Sequence, residues 1–245
     1  MSSCKHCVQG VRHEGKFETI GGIRTYVTLP TGDYPKDKAI LYLSDIFGPE
    51  LNNNLLLADD YARNGFQVYL PDLFGGDPVP ADGLSPTSGF DITEWLGRHG
   101  PETSQPKVEA VIGALKEEGV TRFGAIGLCY GARLVFELAF EQKIDVAIAT
   151  HPSAVEVEHL ERYAAVAKAP LQLNTCETDL QFPAEKQAKA DELFGDGKFK
   201  PGYNQTYFPG VVHGFAVRGD MSDPKVKAAK EGAFKASVEW FIRHL

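Results

Sequence analysis

The pentapeptide Gly127-Leu128-Cys129-Tyr130-Gly131, directly after the apolar run Phe123-Gly124-Ala125-Ile126, constrains this chain more than any other segment. Glycines two positions to either side of a reactive residue suit a strand-to-helix turn bent so sharply that bulkier neighbours would clash. The usual central residue of such an elbow is serine; here a thiol replaces the hydroxyl. A thiolate is the stronger nucleophile, and the positive end of a helix starting near Tyr130 favours it. The competing reading is a small buried cysteine filling space behind a Gly-rich turn.

An elbow of this kind predicts the chain order nucleophile, acid, histidine, each partner lying just past the carboxyl end of a later strand. The run Pro170 to Thr175 ends in Cys176-Glu177-Thr178-Asp179, and Asn204 to Phe208 leads through Pro209-Gly210-Val211-Val212 to His213. In that arrangement His213 takes the Cys129 proton and later returns one, while Asp179 fixes the imidazole tautomer and stabilises its cation. Glu177 is the rival acid. Asp179 is preferred because it lies farther out in the loop and precedes Leu180-Gln181-Phe182-Pro183, a turn feeding a helix. The plain alternatives are a capping aspartate and a surface histidine. His151, at the end of Val146-Ala147-Ile148-Ala149-Thr150 and followed by Pro152-Ser153, opens toward the same face as a pocket-lining or loop-anchoring residue.

Around these motifs strands and helices alternate in α/β order. Phe17 to Ile20 and Arg24 to Thr28 read as an antiparallel hairpin around Gly21-Gly22, and Ala39 to Leu43 begins a parallel sheet. Helices are expected over 51–64, 105–118, 155–166, 183–193 and 224–244, with a strand over 66–70. The Pro- and Gly-rich stretch between Phe74 and Pro101, carrying Phe90 and Trp95, reads as a pocket flap.

Five stretches together resemble the dienelactone hydrolase family of α/β hydrolases, and in detail its fungal branch. They are Leu43 to Gly48, Pro71 to Phe74, the Cys129 elbow, Cys176 to Asp179 with Phe182-Pro183, and His213 to Asp220. The resemblance implies an α/β-hydrolase fold, with a mostly parallel central sheet flanked by helices on both faces. It implies a triad of Cys129, Asp179 and His213, and an oxyanion hole formed by the backbone amides of Ile46 and Tyr130. Asp45 occupies a position where relatives often carry glutamate, one methylene longer; a carboxylate there disfavours the thiolate, the alternative being a turn aspartate that bonds its own loop. Arg218 matches an arginine that binds substrate carboxylate, although one residue farther from His213 than in the bacterial branch. A second such arginine has no counterpart in Gly75 to Pro80, and a surface pairing with Asp220 is the alternative for Arg218. Phe47, His151 and Phe215 complete the set of substrate-binding or modulating candidates. The implied activity is hydrolysis of lactones or small carboxylic esters through an acyl-thioenzyme, without cofactor or metal. A non-catalytic protein that keeps the pocket for a small ligand is the alternative.

The 245 residues, 43% hydrophobic, suffice for one α/β core and contain no linker that would divide it, so one domain over 1–245 is expected. The net charge of −8 comes without a Lys/Arg cluster, which argues against nucleic acid and anionic membranes as partners. A small-molecule substrate, a monomer or homodimer, and a cytoplasmic setting are expected, since neither a bilayer-length apolar segment nor a signal-peptide pattern is present. Cys4 and Cys7 form a C-x-x-C around His6, but no second Cys/His pair completes a zinc site.

Overall fold

The computed structural model describes residues 13–245, so the Cys4/Cys7 motif lies outside the described residues. β1 (Lys16–Ile20) and β2 (Ile23–Thr28) form the expected hairpin. They turn through Gly21 and Gly22, whose φ angles of +58° and +80° favour glycine. The parallel strands follow: β3 (Lys38–Leu43), β4 (Gln67–Pro71), β5 (Arg122–Leu128), β6 (Val146–Thr150), β7 (Leu171–Thr178) and β8 (Tyr203–Val212). All eight belong to one sheet in the order β1-β2-β4-β3-β5-β6-β7-β8, with β2 antiparallel to both β1 and β4.

Helices cover both faces. They are α1 (Asn52–Arg63), α2 (Ile92–Arg98), α3 (Pro101–Glu117), α4 (Tyr130–Phe140), α5 (Val157–Val166), α6 (Ala184–Phe194), α7 (Phe215–Arg218) and α8 (Pro224–His244). This explains why the central strands are apolar at every position rather than at alternate ones. In β3, Leu41 and Leu43 enter a core shared with α3 and α4, whereas Ile40 and Tyr42 enter a second core shared with α1 and α8. Successive strand side chains point to opposite faces, so one continuous apolar run feeds two layers.

The chain reverses its direction of travel across the sheet between β3 and β5: β4 lies on one side of β3, and β5 returns to the other. Such a switch point opens a crevice at the carboxyl ends of the strands. β5 carries the elbow into that crevice.

Most elements lie within a few residues of expectation, with two informative differences. α3 begins at Pro101, four residues early, because proline suits the first helical turn. Within the stretch from Phe74 to Pro101, Trp95 is not a flap residue but part of the core. Asp91 caps α2 by accepting a hydrogen bond from the Glu94 amide, and the Trp95 ring is completely buried against Phe74, His99 and Tyr130. Its Nε1 donates to the Asp77 carbonyl at 2.8 Å. The Tyr130 hydroxyl, 2.8 Å from Ser104 Oγ, also reaches the His99 carbonyl at 2.8 Å. An indole can be buried once its N–H is satisfied, and this one locks the segment onto the start of α4.

Candidate active site

Cys129 stands between β5 and α4 at φ 53°, ψ −111°, a left-handed conformation that L side chains rarely adopt. A Cβ at Gly127 would lie 2.3 Å from the Gly131 carbonyl oxygen, and one at Gly131 would lie 2.0 Å from that of Leu43. Both glycines are therefore required, the first by the turn itself and the second by the close passage of the chain leaving β3. The strain of such a backbone, about 1–3 kcal/mol, persists only where surrounding contacts enforce it. Here the Cys129 amide donates to the Thr150 carbonyl at 3.1 Å, and its own carbonyl accepts from the Ser153 amide at 3.0 Å.

The acid and the histidine arrive from the adjacent edge of the sheet. His213 follows β8, its amide bonded to the Thr178 carbonyl at 3.0 Å, so the two loops are tied together. The Asp179 carboxylate is buried, with Oδ2 2.9 Å from His213 Nδ1. Its Oδ1 accepts from the amides of Gln181 and Phe182 at 2.8 and 3.0 Å. Glu177 points elsewhere, accepting from the Gly210 amide at the exposed sheet edge. Burial alone would lower the pKa of His213. The hydrogen bond and charge of Asp179, together with the Cys129 thiol, outweigh it and push the pKa up to about 10. Cys176, buried beside this loop with Sγ 3.8 Å from Asp179 Oδ2, has its own thiol pushed up to about 12, mainly by desolvation.

The remaining candidates fall around this line. Tyr130 opens α4, where the first amides lack intrahelical acceptors. Ile46 is half-buried in the loop after β3, which passes directly over the elbow. Asp45 is buried, accepting from the Phe47 amide at 3.2 Å and from Asn54 Nδ2 at 2.9 Å. Burial raises its pKa, with Asn54, Arg218, the Phe47 amide and His213 acting in the opposite direction. Arg218, at the end of α7, brings Nε to 3.8 Å from Asp45 Oδ2 and lays its guanidinium 4.7 Å over the Phe47 ring. His151 and Phe215 are buried behind the histidine, their rings 5.5 Å apart and that of His151 5.0 Å from His213. Among the described residues neither nitrogen of His151 has a hydrogen-bond partner, and burial holds its pKa well below the usual range, so the ring is neutral.

One side chain in the site had no sequence signal beyond its place after His151-Pro152. Ser153 Oγ lies 3.2 Å from Cys129 Sγ and 3.4 Å from His213 Nε2. A single serine in a loop carries no pattern of its own. Only folding the β6 exit across the elbow reveals it.

The sequence model of the Dienelactone hydrolase family matches residues 23–245. The hydrolase pyvD of Aspergillus violaceofuscus is 38% identical over 245 residues, covering 98% of this chain and 96% of that protein. Dienlactone hydrolase 1 of Gibberella moniliformis is 31% identical, covering 96% and 91% respectively. Among solved structures, a putative dienelactone hydrolase from Klebsiella pneumoniae superposes with a TM-score of 0.75 at 16% identity, covering 94% of this chain and 99% of its own. At that identity the likeness is one of fold.

Proposed function

Because this chain belongs to the dienelactone hydrolase family of α/β hydrolases, we propose that it opens lactones or cleaves small carboxylic esters through a Cys129-His213-Asp179 triad and an acyl-thioenzyme. Carboxylic ester hydrolysis is the activity of the family. The observation that carries the thiol mechanism is the convergence, at adjacent strand ends, of a strained cysteine elbow and a histidine bonded to a buried carboxylate.

In the first half-reaction the Cys129 thiolate attacks the acyl carbonyl, and the Tyr130 and Ile46 amides stabilise the oxyanion. His213, held protonated by its raised pKa, gives its proton to the departing oxygen. When the acyl group occupies Sγ, the negative sulfur that helped raise that pKa is gone. The pKa of His213 falls accordingly, the neutral imidazole becomes available, and Asp179 keeps Nδ1 protonated so that Nε2 can take a proton from water. One residue thus serves as acid before acylation and as base after it.

The carboxylate class of substrate rests on Arg218, a partly exposed side chain beside Phe47 whose guanidinium would grip a carboxylate in bidentate fashion. The test of the mechanism is turnover of p-nitrophenyl acetate by the wild type, Cys129→Ala and His213→Ala. Both variants fold and lose turnover in this mechanism, with non-additive losses when combined. A folded Cys129→Ala enzyme with near-wild-type turnover overturns it.

A further inference from the structure

We propose that Ser153 is a fourth catalytic side chain of this site, a hydroxyl bridge that carries the proton between the nucleophile and the base. The inference rests on the Cys129-centred reading above. Cys129 Sγ lies 3.2 Å from Ser153 Oγ, and the same oxygen lies 3.4 Å from His213 Nε2, beside the direct interaction of Cys129 with His213 that contributes to the raised pKa of the imidazole. The line Asp179, His213, Ser153, Cys129 is continuous.

The hydroxyl is placed there by the fold rather than by chance rotation of a loop side chain. The chain leaves β6 through His151 at φ 36° and passes Ala154 at φ 56°, two non-glycine residues in the left-handed region, with Ser153 between them. The Ser153 amide is fixed on the Cys129 carbonyl at 3.0 Å, and the Ala154 carbonyl accepts from Arg133 Nη1 of α4 at 3.0 Å. The His151 amide donates to the Asn174 carbonyl at 2.8 Å. These bonds hold a strained backbone in the geometry that brings Oγ within reach of both sulfur and imidazole.

A hydroxyl donates one proton and accepts others, so it can serve both neighbours at once. In the thiol–imidazole form of the pair Sγ–H donates to Ser153 Oγ, and the Ser153 O–H donates to His213 Nε2. On activation the Sγ–H bond breaks as a new Oγ–H bond forms, while the original Oγ–H bond breaks and Nε2–H forms. The products are a thiolate, an intact serine and an imidazolium. Net charge is unchanged and no external acid or base is consumed. The serine hydroxyl then donates to the thiolate and accepts from Nε2–H, stabilising both ions. Ser153 has no role as nucleophile in this scheme, because it sits on a loop away from the helix start that faces Cys129.

Alkylation of Cys129 by iodoacetamide between pH 5 and 10, read at that residue by peptide mapping, tests the bridge, together with the p-nitrophenol burst from p-nitrophenyl acetate. Ser153→Ala is expected to slow Cys129 alkylation at neutral pH by about tenfold or more, the scale of one hydrogen bond to a charged group. The alkylation profile should move to higher pH and the burst should slow in proportion. Ser153→Thr, which keeps the hydroxyl, should recover most of both. An unmoved alkylation profile in Ser153→Ala overturns the bridge even if turnover falls, and so does a shift that Ser153→Thr fails to recover. Failure of the underlying reading looks different: Cys129→Ala would remain active, or mass spectrometry would find the acyl group on Ser153. If Cys129→Ala is inactive and the Ser153→Ala profile is unmoved, the bridge alone falls.

Discussion

Oδ2 of Asp179 lies 2.9 Å from Nδ1 of His213, while the other oxygen of the same carboxylate is held by two loop amides. The carboxylate is therefore oriented before substrate arrives, and it fixes which ring nitrogen carries the proton. Asp179→Asn keeps the size and loses the charge. Turnover should fall by roughly a thousandfold or more, as when a triad acid becomes an amide elsewhere. A loss below about tenfold would assign the orientation of His213 to other contacts.

The same pair makes stability depend on pH. The pKa of His213 is raised to about 10, so the stabilisation it gains as a cation is complete below its ordinary value of about 6.5. It declines as pH rises through about 10. In urea unfolding, the margin of wild type over Asp179→Asn should be widest near pH 6 and close toward pH 10. A margin that grows with pH would contradict an imidazolium partner.

Asp45 tests a carboxylate in a different setting. It is buried and its pKa is raised by desolvation, so its ionised form costs the fold stability at neutral pH. That cost disappears as pH falls through the raised value. Asp45→Asn is accordingly expected to gain stability relative to wild type near neutrality and to lose the gain on acidification. Removing the charge should also raise Cys129 alkylation at neutral pH on the order of fivefold, the effect of about 1 kcal/mol of charge repulsion. Unchanged alkylation would make Asp45 a loop-anchoring residue, bonded to the Phe47 amide and to Asn54 and paired with Arg218.

Trp95 supports Tyr130, the residue that follows Cys129. Its indole is buried against Phe74, His99 and Tyr130, so Trp95→Ala should destabilise the protein by about 3–5 kcal/mol in urea unfolding. A change under 1 kcal/mol would mean that the segment from Phe74 to Pro101 is held by its other bonds.

The difference between what was legible and what was not follows from the range of the interactions. The elbow glycines, the apolar strand runs and the Pro224 start of α8 are local signals, and the elements stand close to where those signals place them. The order Cys129, Asp179, His213 was readable because strand ends converge in this fold. Trp95 was misread because proline and glycine around it suggest a mobile loop, whereas its burial is decided by Tyr130 and Phe74, distant in sequence. Ser153 was unreadable because its place beside Cys129 and His213 depends on left-handed backbone at His151 and Ala154, which neither residue type announces. The preference for Asp179 over Glu177 was a weak argument from position. The β7–β8 pairing supplies the physical reason, since it turns Glu177 to the exposed edge and Asp179 under the histidine.

Arg218 decides whether the site favours anionic substrates. Its Nε faces the buried Asp45, its guanidinium lies over Phe47, and about a third of the side chain, 35%, remains exposed. One edge of the guanidinium is thereby steadied while another is free to meet a carboxylate. Arg218→Ala should weaken turnover of anionic lactones by about tenfold to a hundredfold, the worth of a charge-assisted hydrogen bond, and leave neutral p-nitrophenyl esters almost untouched. Steady-state kcat/KM on matched lactones with and without a carboxylate checks this. Equal losses on both classes would show that Arg218 serves by pairing with Asp45 and supporting the loop that carries His213. No loss on either would leave the guanidinium a solvated partner of Asp45 and remove the carboxylate from the substrate requirement.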